Sequence, residues 1–80
     1  MMPKFTGYFD EDYKRRISKN LNEILKENNI TLSENEEVEF IVPIGSKNSI
    51  NRFEIHSDNG PFKTKIMKLI SANYEKILDY

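Results

Sequence analysis

Glu37-Val38-Glu39-Phe40-Ile41-Val42 and, past the turn Gly45-Ser46-Lys47-Asn48-Ser49, Asn51-Arg52-Phe53-Glu54-Ile55-His56 decide how this chain folds. In the first run Val38, Phe40 and Val42 alternate with Glu37, Glu39 and Ile41; in the second Asn51, Phe53 and Ile55 alternate with Arg52, Glu54 and His56. Successive side chains of a strand point to opposite faces, so each run reads as a half-buried strand. Pro43 lacks the N–H a ladder needs and marks the end of the first strand. Two such runs joined by a short polar turn are most simply an antiparallel hairpin, with Lys47 in its solvated loop.

Pairing Phe40 with Phe53 would set Glu39 opposite Glu54, and facing like charges destabilise a sheet. A shift of two residues keeps every side chain on its own face and puts Glu39 opposite Arg52 or His56 instead. In the unshifted register one carboxyl would tend to hold its proton, and a catalytic protein could retain that strained pair beside His56, since perturbed carboxyls collect at working sites. The expectation is a shifted, charge-matched register and no nuclease activity.

Outward from the hairpin, the period changes. Tyr13, Ile17, Leu21, Ile24 and Leu25 mark one face of a helix over residues 11–28, with Asp10 as its N-cap, Glu11 and Asp12 in its first turn and Asn28-Asn29 as its stop. Ser33 followed three residues on by Glu36 looks like a helix-start box, but no helical period follows it. Pro61 opens a last helix whose apolar face is Phe62, Ile66, Leu69, Ile70, Tyr74, Ile77 and Leu78. The fold class is α+β: a two-layer sandwich of two amphipathic helices on one face of a small antiparallel sheet, in the order helix, strand, strand, helix. Residues 5–9 offer a short extra N-terminal strand. The chain is a single domain over residues 1–80, and its core comprises Ile17, Leu21, Ile24, Phe40, Phe53, Ile66, Leu69, Ile70 and Ile77.

With the N-terminal strand included, the element order resembles that of the small DNA-damage-inducible protein I family. The resemblance is one of topology: where that family has an acidic last helix, this chain has Lys63, Lys65 and Lys68, and no function follows from it.

Composition excludes more than it identifies. The 80 residues are 38% hydrophobic and 31% charged with a net charge of −1, the balance of an ordinary globular domain and not of a polyanion-binding arm. No cysteine is present, which removes disulfides, thiolate nucleophiles and zinc–cysteine sites. No apolar run is long enough for a membrane span, and no secretory leader opens the chain, so a cytoplasmic location is expected. Ile, Asn and Lys make up 28 of the 80 residues against a single alanine, Ala72, a bias that fits a bacterium, phage or other mobile element of low G+C content.

Four features could carry chemistry. Arg52, Glu54 and His56 share one strand face, and a carboxylate base, an imidazole acid and a guanidinium are what a small ribonuclease needs. The plainer reading is a solvated strand face. The basic residues Arg15, Lys19 and Lys26 on the first helix and Lys63, Lys65 and Lys68 on the last could contact phosphates, although i,i+4 pairing with Glu11, Asp12 and Glu23 explains part of the first set. Glu34, Glu36, Glu37 and Glu39 form an acidic block suited to a basic groove. Phe5, Tyr8, Phe9 and Tyr13 are more aromatics than one helix needs, with Tyr74 and Tyr80 able to extend them. No metal-ligand spacing and no phosphate-binding loop is visible.

Together these features favour a small non-enzymatic protein-interaction module: an inhibitor, adaptor or regulatory subunit with no cofactor and no metal. Its contact residues would be Tyr8, Phe9, Glu36, Glu37, Glu39, Arg52, Glu54 and His56. A thin core and surplus aromatics lead us to expect a two-fold homodimer. The alternative is nucleic-acid binding by Arg15, Lys19, Lys26, Lys63, Lys65 and Lys68, and behind it the ribonuclease.

Overall fold

In the computed structural model, which describes Met2–Leu78, the elements are β1 (Lys4–Thr6), α1 (Glu11–Glu27), β2 (Glu37–Ile41), β3 (Arg52–His56), α2 (Gly60–Ala72) and α3 (Tyr74–Leu78). The sheet order is β1-β2-β3. β2 and β3 form the expected antiparallel hairpin, and an N-terminal strand joins it in parallel with β2, so the sheet is mixed; this strand covers Lys4–Thr6 and not residues 5–9, because the chain turns at Gly7. Parallel neighbours need a long crossover, which α1 supplies. Tyr80 lies outside the described residues.

The register is the main correction. Phe40 faces Phe53, Val38 faces Ile55, and Glu39 stands directly opposite Glu54. Shifting toward Arg52 would bring the polar Asn51 opposite Phe40, and shifting toward His56 would leave Val38 facing Ser57. Val38 and Phe40 are fully buried and Ile55 nearly so. A two-residue shift leaves these side chains on the core face but costs one of them its apolar partner, a cross-strand term of about 0.2–1 kcal/mol that is of the same size as the cost of a facing pair of charges. β1 also supplies groups, Thr6 and Lys4, that offset the charge conflict. Core matching wins.

α1 buries Tyr13, Ile17, Leu21, Ile24 and Leu25 as its periodicity requires. Asp10 occupies the N-cap position without a side-chain capping bond. Its carboxylate instead accepts from Asn48 Nδ2 at 2.9 Å and pairs with Lys47 Nζ at 3.1 Å, tying the β2–β3 loop to the start of the helix. Lys47, expected to be solvated, also lies 5.2 Å over the Tyr8 ring. The Ser33–Glu36 box forms a turn without a helix: Glu36 Oε1 accepts from the Ser33 N–H at 3.0 Å.

The last helix is interrupted. Asn73 caps α2 and donates its side-chain amide to the Leu69 carbonyl at 2.9 Å. The chain then continues as α3, whose Ile77 and Leu78 are buried and whose Ile77 carbonyl accepts from Asn20 of α1 at 3.0 Å. Of the expected core, Phe53 and Leu69 are only partly buried; the others are buried, joined by Val38, Val42, Ile50 and Ile55. Gly7 adopts φ +112°, and a Cβ there would meet the Val42 carbonyl oxygen at 2.5 Å, so only glycine lets β1 turn this close to the end of β2.

Candidate functional site

The face of the sheet turned away from the helices carries three rows. Lys4, Glu39 and Glu54 align across β1, β2 and β3; Thr6, Ile41 and Arg52 form the next row; Glu37 faces His56 beyond them. Glu39, at the centre, is only 8% exposed, an uncommon burial for a charged residue. It is held by its two diagonal neighbours. Thr6 Oγ1 donates to Oε2 at 2.5 Å, and His56 Nε2 lies 2.8 Å from Oε1.

The Thr6 hydroxyl is the largest influence holding the Glu39 carboxyl below its usual range, followed by the bond from His56; burial opposes them, and the charges of Lys4 and the imidazole assist. An ionised carboxylate can only accept, so Nε2 of His56 carries the hydrogen in this contact. His56 Nε2 also lies 3.9 Å from Glu54 Oε2. The imidazole thus bonds Glu39 and stands 3.9 Å from Glu54, while β1 backs Glu39 with a hydroxyl and the charge of an ammonium. Among the described residues, Glu39, Glu54 and His56 place one ligand atom each within 4.8 Å of one another. The trio depends on the hairpin register as well as on spacing along one strand, because Glu39 comes from the other strand.

The face continues into an acidic end. Met2, Glu34, Asn35, Glu36, Glu37 and His56 line a groove of about 260 Å³. Small-molecule pockets usually run from about 300 Å³ upward, so this groove suits surface contact better than enclosure of a ligand. Glu36 is fixed there: the Ser33 N–H is the main cause that lowers its carboxyl, and Ser57 Oγ donates to its Oε2 at 3.0 Å.

The other expected contact residues are dispersed. Tyr8 is 61% exposed beside the β2–β3 loop. Phe9 turns inward, with its ring 4.7 Å from Phe5 and 5.8 Å from Tyr13. Arg52 faces Ile41 and lines a separate, largely apolar groove with Phe53, Met67 and Tyr74. Of the features tied to a ribonuclease, the facing pair Glu39–Glu54 beside His56 is present, while Arg52 lies in the next row and lines the separate groove.

The basic residues occupy the helix layer. Arg15 pairs with Asp12, one residue nearer than the Glu11 expected for it, and Lys14 pairs with Glu11, both at i,i+3. Lys19 and Lys63 are exposed. Lys26 lines a groove with Asn22, Asn29 and Ile30, while Lys65 and Lys68 line another with Asn28, Ile30 and Leu69. The two grooves adjoin at Ile30, which gathers three lysines at one end of the layer.

No protein-family model, curated protein or solved structure matches this chain, so the resemblance in element order remains one of topology. No helix among the described residues is long and apolar enough to cross a membrane.

Proposed function

We propose that this protein is a small non-enzymatic interaction module that docks the acidic end of its open sheet face onto a basic surface of another protein, acting as an inhibitor, adaptor or regulatory subunit. The observation that carries the reading is the continuity of the acidic groove with the Glu39–His56–Glu54 cluster on one uncovered face. Glu34, Glu36, Glu37 and Glu54 there offer carboxylates to a cationic partner, and the hydrogen bonds on Glu36 and Glu39 hold two of the acidic side chains in place before binding. Groups fixed in advance lose less entropy on association. Complementary charge speeds encounter and selects partners more than it adds raw affinity. Self-association belongs to the same reading, since β1 and β3 each have a strand neighbour on one side only among the described residues.

A second reading has its own support: Lys26, Lys65 and Lys68, drawn together around Ile30, suit contact with nucleic-acid phosphates. One experiment separates the two. Partner capture from the source cells is compared for the parent, a Glu34→Lys/Glu37→Lys variant and a Lys26→Glu/Lys65→Glu/Lys68→Glu variant, with protein and nucleic acid both identified in the eluate. The docking reading expects a defined protein partner, lost with the glutamate reversal and retained with the lysine reversal. Capture of nucleic acid that disappears only with the lysine reversal favours the second reading. RNA cleavage by the parent that is lost in His56→Ala would overturn the non-enzymatic assignment.

A further inference from the structure

Two carboxylates facing one another across a hairpin, with the chain's one imidazole against both, form an arrangement with a use beyond docking. We propose that Glu39, Glu54 and His56 bind a divalent transition-metal ion of the zinc class, each through one ligand atom, on the open face of the sheet.

The geometry is close to what such an ion needs. Ligand atoms about 2.0–2.2 Å from a tetrahedral ion lie about 3.4 Å apart. His56 Nε2 is 2.8 Å from Glu39 Oε1 and 3.9 Å from Glu54 Oε2, values on either side of that separation, and all three ligand atoms lie within 4.8 Å of one another. An ion entering between them requires these separations to converge on about 3.4 Å, and two of these side chains have room to adjust: His56 and Glu54 are each nearly half exposed.

The third ligand is fixed. Glu39 is buried, and Thr6 Oγ1 holds its Oε2, leaving Oε1 turned toward His56. Hydrogen bonds from outside the ligand set that orient a ligating carboxylate are a regular part of metal sites. On binding, the ion takes the place of the hydrogen between Nε2 and Oε1: that proton passes to solvent while Nδ1 takes one up, so the imidazole stays neutral with its hydrogen on Nδ1 and Nε2 presents its lone pair. Water can take the remaining position on the exposed side.

Charge and ligand type select the class of ion. The row Lys4, Glu39, Glu54 carries one positive and two negative charges, so a divalent cation replaces repulsion between carboxylates with attraction to both. Lys4 works against binding and lowers affinity without occupying a ligand position. Calcium needs six to eight oxygen ligands, and magnesium keeps a near-ideal octahedron of oxygens. Imidazole with carboxylates suits zinc, cobalt, nickel or copper instead.

The test titrates the full chain at neutral pH with zinc by calorimetry and with cobalt(II) by visible absorption, which reports coordination number. We expect one ion per chain and a cobalt spectrum of low coordination number. His56→Ala and Glu54→Gln, both at partly exposed positions and checked by circular dichroism for an intact fold, should each weaken uptake by more than about tenfold, and Thr6→Val by about 10- to 100-fold through loss of orientation. Glu34→Gln, in the acidic groove outside the trio, should leave uptake unchanged. No saturable uptake by the parent, uptake that survives His56→Ala, or an equal loss in Glu34→Gln would each overturn the proposal. Partner capture by the parent is a separate readout, so failure of metal uptake leaves the docking reading standing.

Discussion

Glu39 and Glu54 face each other across the hairpin, yet replacing each by glutamine should move stability in opposite directions. Glu39 is buried and accepts from Thr6 and His56. Hydrogen bonds to a charged group are worth about 1.5–3 kcal/mol and neutral ones about 0.5–1.5 kcal/mol. Glutamine at position 39 keeps both contacts in neutral form, so the loss is about 1 kcal/mol per bond. Relief of the facing repulsion returns about 0.5 kcal/mol. The net expectation for Glu39→Gln is a destabilisation of about 1–2 kcal/mol, or about 5–10 °C in Tm for a domain of this size. Glu54 is nearly half exposed and contributes a 3.9 Å contact to His56, so Glu54→Gln mainly removes repulsion and should raise Tm by up to a few degrees. The assay is thermal denaturation followed by circular dichroism at neutral pH in the presence of a chelator, so that no bound metal contributes. If Glu39→Gln melted at or above the parent while Glu54→Gln melted below it, the account of the central row would be wrong.

Three further outcomes follow from other parts of the fold. Gly7→Ala forces an alanine into φ +112° with its Cβ against the Val42 carbonyl, and urea titration should show a loss of about 1–3 kcal/mol or more. Ser18 Oγ is buried with no hydrogen-bond partner among the described residues, so Ser18→Ala in α1 should stabilise by about 0.5 kcal/mol or more, read from the same titration. The Asp10 carboxyl is held below its usual range by Asn48 and then Lys47; a depressed carboxyl contributes stability at neutral pH that is lost as pH falls through its folded value, so Asp10→Asn should flatten the acid side of a Tm-against-pH curve. An unchanged curve would refute the clamp between loop and helix.

β2, β3, the first helix, its stop at Asn28-Asn29 and the α+β class were legible because they rest on local periods: alternation at Val38, Phe40 and Val42, and helical spacing from Tyr13 to Leu25. The break at Asn73 was not legible. Ile70, Tyr74 and Ile77 keep a helical spacing across it, and only packing of α3 on α1 rewards the turn. The candidate docking residues could be named from their types, but not their grouping. Phe9 looks like a surface aromatic until its ring is found against Phe5 and Tyr13, and Thr6 and Lys4 gave no signal in a hairpin considered alone. The sequence by itself determined which side chains share a face, since that depends only on the two-residue period of a strand. The register, and with it the meeting of Glu39, Glu54 and His56, was decided by tertiary structure, because the apolar pairs Phe40–Phe53 and Val38–Ile55 compete with a facing pair of charges of similar size, and Thr6 and Lys4 of the third strand offset that pair.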